Sequence, residues 1–171
     1  GNFNNLVDKL TRMGIDKEIK KFILNGNPIL AICLGMQILF ESSEEVNQIN
    51  SYPDQEDNNN FKKDVKGLGI ISGKIKKLKQ GKDSIPNIGN RNTVNLYTNN
   101  IHQMYYIHSY AAIIDGEIND KSVSEISTFN GSSFIASYNS KNIAAFQYHP
   151  EMSGKIGNQI LYSALDRLNR I

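Results

Sequence analysis

The chain has 171 residues, the length of about one domain, with 39% hydrophobic and 21% charged residues and no run approaching the ~18–20 consecutive apolar residues of a membrane span. Lys+Arg 19 against Asp+Glu 17 leaves a net charge of +2, too weak a field to point to nucleic acid or an anionic membrane. A single cysteine excludes an internal disulfide framework and fits a reducing, cytoplasmic setting.

Leu6, Val7, Leu10 and Met13 recur at helical spacing until Gly14, and Ile15, Ile19, Phe22 and Ile23 form a second stripe that Gly26 and Pro28 end. Pro28 to Cys33 is a short apolar run, which predicts a strand buried on both faces, and Met36 to Glu41 suits a further helix. Helix, buried strand and helix again is the pattern of a parallel α/β sheet. The segment 47–63, with Asp54, Glu56, Asp57 and Asn58-Asn59-Asn60, holds nothing for a core and reads as a solvated surface loop. Residues 67–71 and 74–78 read as strand pieces around Ser72-Gly73, and Met104 to Ile114 as one strand. Residues 133–138 and 143–148 read as a hairpin, and Ile156, Ile160, Leu161, Ala164, Leu165 and Leu168 as a closing amphipathic helix. No internal linker breaks the chain, so residues 1–171 are taken as one domain.

Cys33 stands where the predicted strand turns into a helix, in Ala31-Ile32-Cys33-Leu34-Gly35. Small residues at −2 and +2 allow strand and helix to approach, the layout of a nucleophile elbow. A thiolate there feels the positive end of the helix, which lowers thiol pKa values, and the Leu34 N–H points to where an oxyanion would form. A buried structural cysteine fits the same residues. A thiolate needs a base, and His149, in Phe146-Gln147-Tyr148-His149-Pro150-Glu151, has a carboxylate two residues on that can reach one ring nitrogen and set the tautomer. A strand end followed by a surface glutamate is the plainer alternative. His108 is expected to pack or to make a structural hydrogen bond, and His102 to sit solvated in a polar loop. One Cys and three scattered His give no metal-ligand spacing, and Gly67-Leu68-Gly69 lacks the rest of a phosphate loop, so neither a metal nor a cofactor is expected.

Cys33-Leu34-Gly35-Met36-Gln37 joined to His149-Pro150-Glu151 resembles the class I glutamine amidotransferases. The stretches 39–45, 66–74 and 105–110 and the tail from Ser153 are similar to the HisH glutaminase subunits of imidazole glycerol phosphate synthase. The resemblance implies an α/β, flavodoxin-like sandwich with a mostly parallel central sheet plus antiparallel strands. It implies that Cys33 attacks the side-chain amide of L-glutamine, that His149 carries the proton, that Glu151 orients His149, and that a thioester is hydrolysed to glutamate. Gln37 and Glu45 match family positions lining the glutamine pocket, with Ser109 and Tyr110 at its rim. The expected partner is a (β/α)8 cyclase subunit of the HisF type, forming a heterodimer in which ammonia passes to imidazole glycerol phosphate synthesis in the histidine pathway.

Three features depart from the family pattern. Family chains open with a strand, helix and strand and then a Pro-Gly-Val-Gly type loop carrying a second oxyanion donor; the resemblance places Gly1 inside that loop, so that this sequence lacks the first strand–helix–strand. Pro86-Asn87-Ile88-Gly89-Asn90-Arg91 stands where the family has Pro-His-Met-Gly-Trp-Asn, and the chain has no Trp. Ala31 replaces the usual Gly before the elbow. The alternatives are a homologue feeding an amidating enzyme of surface-polysaccharide sugars, a non-catalytic partner-binding subunit, and a peptidase or γ-glutamyl hydrolase using the same Cys–His pair.

Overall fold

The computed structural model describes residues 1–46 and 64–171, so the expected surface loop at 47–63 lies outside the described residues. Helix α1 (Phe3–Arg12) begins at Asn2, whose side chain accepts from the Asn5 N–H at 3.0 Å. Gly14, at φ 69°, turns the chain into α2 (Ile15–Leu24). Phe3 and Ile23 are buried and Leu6, Val7, Leu10 and Ile19 pack on them, as the two stripes predict. Met13 and Phe22 do not: they are 60% and 48% exposed, at the edge of their stripes.

A six-stranded sheet has the order β1-β10-β9-β8-β5-β6, built from β1 (Ile29–Ile32), β5 (Asn87–Asn95), β6 (Ile101–His108), β8 (Val123–Phe129), β9 (Ser132–Asn139) and β10 (Ile143–Phe146). A four-stranded sheet has the order β3-β2-β4-β7, from β2 (Phe40–Ser43), β3 (Val65–Lys66), β4 (Ile71–Lys77) and β7 (Tyr110–Ala112). The α/β class and the mixture of parallel and antiparallel strands are as expected. The parallel share is smaller: among the described residues only β1–β10 and β2–β4 are parallel. A tight turn accounts for one of the antiparallel pairs. Asn130 (φ 47°) and Gly131 (φ 74°) form a two-residue turn joining β8 to β9, and such turns force antiparallel neighbours.

Several elements differ from their sequence expectation for identifiable reasons. Strand β1 is not buried on both faces: Ala31 is buried, but Ile29, Leu30 and Ile32 are half-buried because β1 ends the sheet order. The helix expected over 36–41 is a single turn, α3 (Leu34–Gln37). Beyond it, the carbonyls of Ile38, Leu39 and Phe40 accept from the N–H groups of Leu68, Ile70, Ile71 and Gly69 instead of from a next helical turn. Gly67 permits this approach, since a Cβ there would lie 2.2 Å from Phe40 O. The single strand expected over 104–114 is two strands, β6 and β7, in different sheets; Ser109 is the crossover, and its carbonyl accepts from Leu78 N–H at 2.9 Å. His102 accordingly lies within β6 and not in a loop.

The hairpin β9–β10 and the closing helix α4 (Gly154–Leu168) match expectation. Ala164 and Leu168 are buried and Ile160 packs beside them on a core of Met104, Tyr106, Phe134, Phe146 and Tyr148. Ile156 and Leu165, at 41% and 37% exposed, flank that stripe. Among the described residues no helix is long and apolar enough to cross a membrane.

Candidate active site

The parallel pair β1–β10 builds the site. Its register sets Ile32 opposite Phe146, so the residues that follow each strand, Cys33 and Gln147 to His149, emerge at the same end of the sheet. The Cys33 N–H donates to Phe146 O at 2.7 Å, pinning the bend to its neighbour. Cys33 itself has φ 51° and ψ −110°, a conformation costing a non-glycine residue about 1–3 kcal/mol. This is the sharp strand-to-helix bend that the sequence predicts. Ala31 suits it, because even a Cβ placed on Gly35 would stand 3.8 Å from the Ala31 Cβ, an ordinary contact.

The sulfur lies 3.9 Å from Ile107 O and 3.8 Å from the Nε2 of Gln147, and the Leu34 N–H nearby favours its charged form. The thiol pKa is not lowered, as a helix N-terminus alone would suggest. Burial pushes it up, outweighing the Leu34 N–H, and the negative charge of Glu151 adds in the same direction.

His149 is fixed by its main chain. Its N–H donates to Tyr105 O at 2.8 Å, its carbonyl accepts from Ser153 Oγ at 2.7 Å, and that hydroxyl accepts from Tyr105 N–H at 2.9 Å. Its Nδ1 lies 2.7 Å from Glu151 Oε1. A carboxylate only accepts, so the proton is on Nδ1 and Nε2 carries the lone pair in the neutral ring. Nε2 is buried and has no hydrogen-bond partner, so the imidazole and the thiol are not bonded to one another in this resting arrangement. Catalytic hydrogen bonds are often loose before substrate is bound.

A cleft of ≈ 160 Å³ opens over the sulfur, and Cys33, Leu34, Gln37, Glu45, Ser109 and Tyr110 all line it. Hollows of ≈ 360 and ≈ 530 Å³ lie elsewhere, and Cys33 lines neither. His149 and Glu151 stand outside the lining of the cleft. The side chains expected to hold substrate are partly engaged within the protein. Gln37 is buried and its Nε2 donates to Tyr110 O at 2.7 Å and to Gln147 Oε1 at 3.0 Å. The Glu45 carboxylate accepts from Phe3 N–H at 2.8 Å and from Asn2 Nδ2 at 3.1 Å. Burial, then the charges of Glu45 and Glu44, push the Tyr110 phenol pKa up. Sequence reasoning missed Gln147, Tyr105 and Ser153. Gln147 was within reach of it, because residues 147 and 149 share one face in an extended segment. Among the described residues no cluster of three or more His, Cys, Asp or Glu could hold a metal.

His108 is structural, as expected. It is buried, and its Nδ1 lies 2.9 Å from Tyr110 O, so Nδ1 carries the proton and Nε2 accepts from Asn87 Nδ2 at 3.1 Å. Burial lowers its pKa to about 4 from an ordinary 6.5. Between those pH values the unfolded chain binds a proton that the folded one does not, so stability falls as pH falls through this window. The expected loss is up to about 3 kcal/mol. Urea denaturation between pH 6.5 and 4 should show this slope, and the His108→Gln chain should show a flatter one; equal slopes would refute the assignment.

Residues 7–167 match the family Glutamine amidotransferase class-I. The chain is 34% identical to the imidazole glycerol phosphate synthase subunit HisH of Prochlorococcus marinus, over 99% of this chain and 74% of that protein. It is 36% identical to the HisH subunit of Listeria monocytogenes, over 94% and 71% of the two chains. It is 34% identical to the chloroplastic imidazole glycerol phosphate synthase hisHF of Arabidopsis thaliana, over 94% of this chain and 25% of that longer protein. It therefore spans a quarter of that longer relative and about three quarters of the subunits. A crystal structure of a glutamine amidotransferase superposes with a TM-score of 0.63 at 12% identity, over 99% of this chain and 76% of that one, a likeness of fold.

Proposed function

The chain belongs to the class I glutamine amidotransferase family, and on that premise we propose that it hydrolyses L-glutamine to glutamate and ammonia through a thioester on Cys33. The observation that carries the reading is the shared end of β1 and β10: it presents the bent Cys33 and an imidazole whose outer nitrogen is free and whose inner nitrogen a carboxylate holds.

The His149 Nε2 takes the thiol proton as Cys33 Sγ attacks the side-chain amide carbon. Because burial keeps the resting thiol protonated, that transfer accompanies attack instead of preceding it. The Leu34 N–H, beside the sulfur, donates to the oxyanion as it forms. As the tetrahedral intermediate collapses, the C–N bond breaks and imidazolium returns its proton to the departing ammonia. Water then enters, gives a proton to Nε2, and opens the thioester to glutamate and the free thiol. Glu151 holds the ring and stabilises imidazolium throughout. Glu45, Ser109 and Tyr110 border the cleft where the amino-acid end of glutamine would rest, and Gln37 closes its inner wall. Thiol, imidazole and water complete the cycle without a metal or cofactor.

The acceptor of the ammonia is a cyclase subunit of the HisF type, in a cytoplasmic heterodimer of the histidine pathway. The relatives named HisH and hisHF support this. A surface feature agrees with it: Ile88 and Ile107 are cross-strand partners, 49% and 46% exposed, and Ile107 borders the cleft. An apolar pair at the mouth suits a seat for a subunit that receives ammonia before it meets water and becomes ammonium.

A glutamine-mimicking electrophile tests the reading. It should label Cys33, located by peptide mass spectrometry, with free glutamine protecting the site. An unlabelled Cys33 in folded protein would overturn the proposal in favour of a non-catalytic, partner-binding subunit.

A further inference from the structure

Among the described residues, the amide of Gln147 is the one side-chain donor that reaches the Cys33 sulfur, and its orientation is dictated from a distance. A backbone carbonyl only accepts, so the Gln37 group 2.7 Å from Tyr110 O is its NH2 end. The same Nε2 lies 3.0 Å from the amide of Gln147, which must turn its oxygen toward it. The NH2 end of Gln147 is then left facing Cys33, at 3.8 Å from Sγ. Tyr110 O fixes a second chain as well, by taking the proton of His108 Nδ1. Both glutamines are buried, Gln37 at 4% and Gln147 at 1% exposure, so neither has bulk water as an alternative partner. The Gln147 backbone is anchored too, its N–H donating to Ala136 O at 2.8 Å.

We propose that Gln147 donates to the Cys33 thiolate and holds Sγ in place for attack, and that Gln37 is a positioning residue that acts through Gln147. The proposal rests on the reading of Cys33 as the nucleophile. A neutral thiol gains little from a long N–H···S contact, whereas a hydrogen bond to an anion is about twice as strong, so the donor favours the charged sulfur selectively. In a buried site it partly offsets the cost of burying that charge. It also restrains the rotation of Sγ about its bond to Cβ, keeping the sulfur between Gln147 and the carbonyl of Ile107. The arrangement gives Gln37 a part in addition to lining the cleft: its amide hydrogens are spent on Tyr110 O and Gln147 Oε1.

The test is the pH profile of Cys33 alkylation by iodoacetamide, in the whole chain, for wild type, Gln147→Met and Gln37→Met. Met is close in shape to Gln and removes the donor. In Gln147→Met the alkylation midpoint should rise by about one pH unit, a roughly tenfold slower reaction at neutral pH, with the plateau at high pH unchanged. Gln37→Met should move the midpoint the same way by a smaller amount. A merely structural role would alter the plateau through access to the thiol and leave the midpoint where it was. An unmoved midpoint in folded Gln147→Met overturns the proposal; if that chain does not fold, an unmoved midpoint in Gln37→Met does so. Alkylation needs no glutamine, so failure of the nucleophile reading has its own signature: no labelling by the glutamine mimic while the alkylation shifts persist.

Discussion

The Cys33→Ser chain is expected to hydrolyse glutamine at least about 10⁴-fold more slowly than the wild type, the scale of loss seen when an acyl-transfer nucleophile is removed. Serine keeps the bend and the size of the side chain, so the fold has little reason to change. What it loses is acidity and reach. A hydroxyl is far less acidic than even a burial-raised thiol, and its shorter bond draws the nucleophile away from an imidazole that is not yet bonded to the sulfur. Gln147, 3.8 Å from the sulfur, would also sit too far from the oxygen to compensate. Quantifying glutamate release with the folded variant decides the matter, and hydrolysis at the wild-type rate would remove Cys33 from the mechanism.

The second large effect is expected at His149. His149→Ala should lower glutamine-dependent turnover by about 10³–10⁴-fold, because in the proposed mechanism proton removal from the thiol and proton delivery to the leaving ammonia both pass through one ring. Substrate binding should be nearly unaffected, since the ring lies outside the lining of the cleft, and the loss should therefore appear in kcat more than in KM. The lesion is confined to the chemistry for a structural reason: His149 is anchored through its own N–H and carbonyl to Tyr105 and Ser153, and alanine retains both atoms. With the acceptor subunit present, added ammonium should restore product formation, because ammonia generation is the step removed. Failure of ammonium to rescue a well-folded complex would mean that His149 supports the assembly rather than the reaction.

Local signals made much of this legible. Gly14 and Gly26 bounded two helices, and Cys33 between small residues announced a sharp bend. The approach of Cys33 to the His149 segment was legible only through family resemblance, because nothing in either segment encodes the β1–β10 register that joins them. The antiparallel pairing of β8 with β9 was written in Asn130-Gly131, a strong hairpin signal overlooked beside weakly hydrophobic flanks. Other features had no local trace. The run from Met36 has helical spacing, yet it stops after one turn because a segment some thirty residues later takes its carbonyls. Tyr and Ile continue from 104 to 114 without punctuation, but tertiary packing sends the two halves to different sheets at Ser109. The thiol was read from its helix end, and burial outweighed that effect.

The strand pairing that unites the two halves of the site has a bearing on biosynthesis of the molecule itself. Gln147 and Cys33 touch across a sequence separation of 114 residues, and contacts of such span are costly to close and slow to form. While the ribosome is still extending the chain, the sulfur has beside it neither the Gln147 amide nor His149, the proposed proton acceptor, and the proposed catalytic arrangement does not exist. On the proposed mechanism, catalytic competence at this cysteine is thus a late property, acquired when the C-terminal stretch docks beside the elbow.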